Sequence, residues 1–346
     1  MKLIIHAANI HKGGGRVLLL SIISALKEPA TVFVDKRFGP LPDLNPLVSL
    51  VEVSPNIVSR LVAEFKLRKL SQADHILLCF GNLPPLFPNR ARVFVYLQNR
   101  YLSMPRTLKG LSIKAQLRIR MERCWLRSCL RGARILVQTE TMAEEVRGYL
   151  GVNGEVLPFL PRSSQQISSI LENDESKAIW QEADRYDYLY VASGETHKNH
   201  ERLIMAWVFL ARKNFFPSLC LTLDQNSDAK LLAWVRAQAS EYGLNIVNRP
   251  LPPNQIPSLY RKSKSLIYPS LFESFGLPLL EARALGLPII AAERDYVRDV
   301  VLPADSFDPL SALSIARAVL RRHALAQVPP MPSDTIAFLQ ELERLE

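Results

Sequence analysis

Short apolar runs alternate with longer stretches of helical periodicity along most of the chain. Lys2–Ala8 (KLIIHAA), Thr31–Val34, Asp74–Phe80 (DHILLCF), Val93–Leu97 (VFVYL) and Ala133–Gln138 (ARILVQ) are apolar nearly throughout. Runs of that kind mark strands covered on both faces, as in a parallel sheet. The pattern predicts helices at Arg16–Lys27, Leu111–Arg131 and Thr139–Tyr149, and Val156-Leu157-Pro158 closes the series. A second series has strands at Tyr186–Ala192, Leu219–Leu223, Leu244–Val247, Leu266–Tyr268 and Ile289–Ala291. Its helices are expected at Glu201–Arg212, Asp228–Tyr242, Ile256–Lys262 and Leu310–His323, with a turn at Asp305–Pro309. Strands that alternate with helices in this way give an α/β fold with two parallel sheets. The expected boundaries are residues 1–162 for the first domain, 163–185 for a polar, serine-rich linker and 186–328 for the second domain. A short helix within residues 333–346, after a proline hinge, is expected to pack back on the first domain.

The second series is organised around Ser265–Ala292, SLIYPSLFESFGLPLLEARALGLPIIAA. A strand runs into the loop Pro269–Phe275, Gly276-Leu277-Pro278 starts a helix, and Gly286 ends it. Proline in a first turn and glycine just past the last turn are ordinary helix punctuation. The two carboxylates, Glu273 in the loop and Glu281 one turn into the helix, are not explained that way. Between them lie the backbone N–H groups of Ser274, Phe275, Gly276 and Leu277, at the positive end of the helix dipole. Such an end binds phosphate or diphosphate. Carboxylates beside a diphosphate repel it unless they hold something else, and sugar and ribose hydroxyls suit them. A nucleotide-sugar supplies ribose, diphosphate and sugar together. An ordinary βα unit with Glu281 on a solvated face is the plainer alternative.

The stretch ESFGLPLLEARALGLPIIAA resembles the E-x7-E signature of family-four glycosyltransferases, retaining group 1 enzymes of the two-Rossmann GT-B fold, here of the bacterial O-antigen and polysaccharide type. The resemblance implies that Glu281 holds the ribose, that Glu273 meets the donor sugar, and that the amides of Ser274 to Leu277 meet sugar or phosphate. Ser193–Ile204 (SGETHKNHERLI) is similar to the family's G-x-x-x-x-K-N segment. That likeness implies donor contacts from Gly194 and a diphosphate contact from Lys198. Many relatives carry an arginine just after the glycine, where this chain has Glu195, and a histidine near Gly81-Asn82, which is absent. The glycine-rich loop with Gly13, Gly14 and Gly15 resembles the family's first loop, which faces the interdomain cleft. Asn82, Gln98, Asn99 and Arg100 follow strand ends, where α/β sheets place ligands, and either form an acceptor side or are ordinary turn residues. The lysine and the amides would stabilise the leaving diphosphate without a metal, so neither metal nor cofactor is expected, and no D-x-D or histidine cluster asks for one.

Charge adds a partner question. There are 43 Lys and Arg against 33 Asp and Glu, a net charge of +10. Excess positive charge points to nucleic acid, anionic lipid or phosphorylated substrate. Four cysteines, Cys79, Cys124, Cys129 and Cys220, form no C-x-x-C pair and read as reduced thiols of a cytoplasmic protein. From Arg100 to Arg134 there are ten basic residues and one acid, Glu122. Arg120, Arg123, Arg127 and Arg131 are spaced to form one stripe along the expected helix, with Leu111, Ala115, Trp125 and Cys129 opposite. That stripe is either a solvated face or a docking surface for anionic lipid.

The reading is a hexosyltransferase that moves a sugar from a nucleoside-diphosphate sugar to a growing, lipid-linked bacterial glycan such as lipopolysaccharide. It would sit peripherally on the inner face of the cytoplasmic membrane. A non-catalytic relative that keeps the fold and binds a partner stays open, given Glu195 and the missing histidine. A nucleic-acid-binding protein has only the net charge in its favour, since no binding motif of that kind is present, and no nucleic acid partner is expected.

Overall fold

The computed structural model describes residues 2–39, 46–104, 108, 112–130, 132–159, 185–252 and 255–325. The expected linker falls almost wholly outside them, and the expected C-terminal helix does so entirely. Two parallel sheets account for the strands. The first contains β1 (Leu3–Ala7), β2 (Ala30–Asp35), β3 (Val48–Val53), β4 (Ile76–Cys79), β5 (Arg92–Tyr96), β6 (Arg134–Val137) and β7 (Gly154–Val156), ordered β3-β2-β1-β4-β5-β6-β7. The second contains β8 (Tyr186–Tyr190), β9 (Leu219–Leu221), β10 (Ile246–Asn248), β11 (Ser263–Tyr268), β12 (Ile289–Ala292) and β13 (Asp305–Phe307), ordered β10-β9-β8-β11-β12-β13. Each sheet reverses its order once, between β1 and β4 and between β8 and β11. Ligands of doubly wound sheets bind outside the carboxyl ends of strands at such switch points.

In the first domain the helices are α1 (Gly13–Ala25), α2 (Ile57–Leu70), the single turn α3 (Arg100–Ser103), α4 (Ile113–Cys129) and α5 (Glu140–Leu150). Those of the second are α6 (His200–Ala211), α7 (Ala229–Tyr242), α8 (Ile256–Arg261), α9 (Leu277–Ala284), α10 (Asp295–Arg298) and α11 (Ala312–Arg322). Their ends follow local chemistry. Asn56 accepts from Ser59 N to cap α2, and Thr139 accepts from Met142 N to cap α5. Gly151, at φ +70°, closes α5 in the left-handed region. Buried side chains of α2, α4 and α5 pack into one core on one face of the first sheet, and those of α1 into a core on the other. The second domain has a single larger core in which Trp207 is buried and donates from Nε1 to Pro217 O at 2.8 Å.

The chain departs from its sequence pattern in four places. β3 and α2 carry no expected element, and β13 replaces an expected turn as an edge strand. Gly13, Gly14 and Gly15 are the first turn of α1 rather than a loop ahead of it. The arginines spaced along one face of α4 do not all project freely from it. Ile119 and Leu126 point into the core, while Arg123 is half-buried and donates to Tyr101 O (2.8 Å) and Met104 O (3.2 Å). Arg127 is exposed but lies over the Tyr149 ring at 4.1 Å, and Arg131 lies outside the described residues. Arg120 and Arg127 are exposed.

The carboxyl ends of the two sheets face each other. Arg100 Nη1 donates to Glu273 O at 3.1 Å, and the rings of Tyr101 and Phe272 meet edge to face at 5.0 Å. Leu277 packs against the first domain's core, and a Cβ added at Gly14 would touch it at 3.4 Å. Glycine at 14 therefore lets α1 approach the start of α9 closely.

Candidate functional site

The loops after β8 and β11 meet at the second switch point. The loop after β8 makes a 3-10 turn at Thr196–Lys198, and Asn199 follows at φ +65°, a conformation asparagine tolerates. Asn199 Nδ2 donates to Pro269 O (3.0 Å) and Pro309 O (2.7 Å), while Leu271 N donates to His197 O at 2.8 Å. The His197 and Phe272 rings stack at 4.7 Å. These contacts fix one loop on the other.

Lys198 and Glu273 are the product of that register. Lys198 Nζ lies 2.7 Å from Glu273 Oε1, and the two side chains are 16% and 12% exposed. The same oxygen accepts from Ser270 Oγ at 2.7 Å and from Tyr268 Oη at 3.2 Å. Among the described residues no donor reaches Oε2. Tyr190 Oη donates to Lys198 O at 2.6 Å, holding the lysine's backbone. Burial drives the hydroxyls of Tyr190 and Tyr268 well above the usual phenol range, so both remain neutral donors.

Gly276, at φ +69°, turns the loop into α9. A Cβ there would come within 3.0 Å of Leu279 Cδ1, so both conformation and space call for glycine. The N–H groups of Ser274, Phe275, Gly276 and Leu277 lie at the start of α9, as the sequence places them. Leu279 N, the next donor along, is already bonded to Gly276 O at 2.9 Å. Glu281, one turn further on, is half-buried and accepts from Tyr260 Oη at 2.7 Å through Oε2. Burial raises the Glu281 pKa, and the Tyr260 hydroxyl partly offsets the rise. Gly194 stands where a Cβ would come within 2.6 Å of Asp228 Oδ1, so a side chain there would disturb the start of α7.

The first-domain residues divide. Arg100 is 6% exposed and held by Glu145, to whose Oε1 its Nε donates at 2.8 Å, while Nη1 crosses to Glu273 O. Asn82, at φ +70°, spends its side-chain oxygen on Gln98 N (2.6 Å) and Asn99 N (2.8 Å). Gln98 Nε2 donates to Phe80 O at 3.1 Å, and Asn99 caps α3. Asn82, Gln98 and Asn99 therefore brace the β4 and β5 loops against each other. Gly13, Gly14 and Gly15 lie on the same side of the cleft, opposite Leu277 for Gly14. Lys198, Glu273, Ser274–Leu277, Gly14 and Arg100 come together at the cleft, and Arg120 and Arg127 do not.

Sequence reasoning missed Tyr260, Tyr268, Ser270, Asn199 and Glu145. Ser270 and Tyr268 stood within five residues of Glu273, so a donor search around that acid would find them. Tyr260 and Glu145 act from other elements, 21 and 45 residues from their partners, with no local signal. Among the described residues no group of three His, Cys, Asp or Glu side chains is placed to hold a metal.

Residues 172–321 match the family model for glycosyl transferases group 1. The match covers the second domain from before β8 to near the end of α11, including Lys198, Glu273 and Glu281. The chain is 26% identical over 145 residues to the O-antigen chain mannosyltransferase B of Escherichia coli, covering 41% of this chain and 36% of that one. It is 38% identical over 96 residues to a D-inositol 3-phosphate glycosyltransferase of Geodermatophilus obscurus, covering 25% of this chain and 21% of that one. The chain thus spans little more than a third, at most, of these relatives' length. Among solved structures, an alpha,alpha-trehalose-phosphate synthase (UDP-forming) from Burkholderia vietnamiensis superposes with a TM-score of 0.67 at 13% identity, over 94% of this chain and 92% of that one. Anabaena HepE in complex with UDP and glucose superposes with a TM-score of 0.65 at 13% identity, over 94% and 90%. At these identities the likeness speaks for the fold alone, and the fold is GT-B: two Rossmann-like parallel-sheet domains about a cleft.

Proposed function

We propose that the protein is a glycosyltransferase that moves a hexosyl unit from a nucleoside-diphosphate sugar to an acceptor held by the first domain. One observation carries the reading: the Lys198–Glu273 pair stands at the second switch point, beside the start of α9, with Glu281 one turn along. Nucleotide-sugar parts match this array in order. Glu281 takes the ribose hydroxyls, with Tyr260 fixing the carboxylate's direction. The amides of Ser274 to Leu277 take diphosphate or sugar oxygens. Lys198 neutralises charge that builds on the leaving diphosphate, the kind of preorganised contact whose loss costs roughly a hundredfold or more in turnover. Glu273 takes a donor-sugar hydroxyl through Oε2, its other oxygen already being occupied.

The group 1 match over this domain, and structures of similar fold in complex with UDP and glucose or with UDP-glucose, support the donor class. The O-antigen mannosyltransferase relative supports a bacterial glycan as acceptor. Family-four membership, retention of anomeric configuration, a lipid-linked acceptor and catalysis without a metal are part of the same proposal. So is a peripheral position at the inner face of the cytoplasmic membrane. A thermal-shift screen with UDP-, GDP- and dTDP-sugars tests the donor class, since a ligand stabilises the state it binds. A shift with one nucleotide series is expected, and no shift with any sugar nucleotide would contradict the reading.

A further inference from the structure

The cores of the first domain use little of the apolar surface on α2 and α4. On α2, Ile57 is 79% exposed, Val58 72%, Leu61 38%, Val62 61% and Phe65 51%. On α4, Ile113 is 85% exposed, Leu117 58% and Met121 64%. The α4 residues recur every four positions and form one row along the helix. Those on α2 form two adjacent rows, opposite the buried Ala63, Glu64 and Leu67. A helix face turned to water ordinarily carries polar side chains at these positions.

The two faces belong to one surface. Both helices pack on the same side of the first sheet, so their outer sides point the same way. The loop after β4 ties them together. Trp125 Nε1 of α4 donates to Pro84 O at 3.1 Å, and Glu64 Oε2 of α2 accepts from Leu86 N at 2.8 Å. α2 follows the carboxyl end of β3, and α4 follows that of β5 by way of α3. Their first turns, with Ile57, Val58 and Ile113, therefore lie at the end of the domain that faces the cleft.

The charge on this surface has one sign. Lys66, Arg68 and Lys69 are exposed on α2, and Lys114, Arg118, Arg120 and Arg127 on α4. The two helices contain only two acids, Glu64 and Glu122, and neither is exposed. An exposed apolar patch of this extent marks an interaction site, and the basic rim selects the partner. A second copy would bring like charges together. Nucleic acid would leave the apolar rows unused. A bilayer with anionic headgroups satisfies both, since basic side chains meet headgroups while apolar ones enter the acyl boundary.

We propose that the outer face of α2 and α4 docks on an anionic lipid bilayer, with Ile113, Leu117, Met121, Ile57, Val58 and Val62 inserted between flanking lysines and arginines. The attachment moves from the arginine stripe expected from sequence to this apolar face. Docking there sets the mouth of the cleft beside the bilayer, where a lipid-linked glycan could enter. In purpose it rests on the lipid-acceptor reading above, but its test does not.

The test uses the intact chain with phosphatidylglycerol/phosphatidylethanolamine vesicles and, separately, phosphatidylcholine vesicles. Sedimentation with the anionic vesicles and little with the neutral ones is expected. Lys114→Ala and Arg120→Ala should each weaken binding about fivefold. Leu117→Glu with Met121→Glu should abolish binding while leaving thermal stability and sugar-nucleotide binding unchanged, because both side chains are exposed. Leu117→Trp should be quenched by brominated lipid. Failure of the parent to sediment, binding unchanged in Leu117→Glu/Met121→Glu, or binding without quenching would each overturn the proposal. A dimer seen by analytical ultracentrifugation and dissolved by Leu117→Glu would also overturn it, in favour of a second copy. Absence of any sugar-nucleotide binding would contradict the transferase reading and leave the vesicle result standing.

Discussion

Lys198 Nζ and Glu273 Oε1 stand 2.7 Å apart and join the loop after β8 to the loop after β11. Neither charge is well solvated, so each depends on the other for its environment. A diphosphate arriving beside Lys198 shares the lysine with Glu273. Lys198→Ala is expected to lower kcat roughly a hundredfold or more. Glu273→Gln is expected to lower turnover while leaving free nucleoside-diphosphate affinity within about threefold, because its proposed partner is the sugar. Steady-state kinetics and calorimetry on the two variants separate these roles. Equal loss of diphosphate affinity and turnover in Glu273→Gln would contradict the sugar assignment.

Arg100 connects the domains to that pair. Its Nη1 holds the Glu273 carbonyl, and in a trans peptide the following N–H, of Ser274, then points the opposite way. Arg100→Ala removes this hold and breaks the Arg100–Glu145 ion pair, whose side chains are 6% and 10% exposed. A stability loss of about 3–5 kcal/mol is expected for breaking so buried a pair. Arg100→Lys cannot bridge Glu145 and the carbonyl together. It should fold, yet lose about tenfold in turnover, on the scale of one misplaced contact. Urea unfolding and kinetics of the two variants check this.

Glu281 gives donor binding a pH dependence. As an acceptor for ribose hydroxyls it works best as a carboxylate, and burial raises its pKa. Donor affinity should therefore fall on acidification at a higher pH than an ordinary glutamate would give. Tyr260→Phe removes the hydrogen bond that opposes the rise, so the fall should move to still higher pH. Calorimetric titrations across mildly acidic pH measure both. A fall at unchanged pH in Tyr260→Phe would contradict this account of the carboxylate.

His6 and Glu64 should set opposing pH effects on stability. Burial pushes Glu64 up to about 7 and His6 down to about 4. The Glu64 contribution is full below its unfolded value of about 4.5 and lost as pH rises through about 7. The His6 contribution is full above about 6.5 and lost as pH falls through about 4. Between those limits the two oppose. Glu64→Gln should leave the His6 effect alone, so the variant's Tm should fall more steeply than the parent's between pH 6.5 and 4.5. Parallel Tm profiles would contradict the assignment.

Catalysis without a metal is expected to survive EDTA, with no gain from added Mg²⁺ or Mn²⁺. Strong EDTA inhibition reversed by either ion would remove Lys198 and the amides as a sufficient source of leaving-group stabilisation.

Much of this was legible in the chain. Continuous apolar strands marked both parallel sheets, Gly276 stood in a helix-start pattern, and Glu273, Glu281 and Lys198 stood in stretches that resemble the signatures of family-four glycosyltransferases. What failed to show had physical reasons. α2 carries apolar residues on its exposed side as well as toward the core, which blurs the period that announces a helix. Asn82 stood just after a strand end, where ligands bind, and nothing local showed that its side-chain oxygen accepts from Gln98 N and Asn99 N of another loop. The α4 arginines had helical spacing, yet Arg123 found backbone carbonyls in the preceding segment, which spacing does not reveal. Tyr260 and Glu145 reach their partners through tertiary structure alone.

Calorimetry of the parent and of Glu281→Ala with UDP-, GDP- and dTDP-sugars, in the presence of EDTA, tests the central claim most directly. The account predicts saturable binding of one nucleotide series to the parent, and at least roughly tenfold weaker binding to Glu281→Ala, since two hydroxyl contacts to a charged acceptor are lost. Binding of equal strength in the two proteins, or none to the parent, would contradict it.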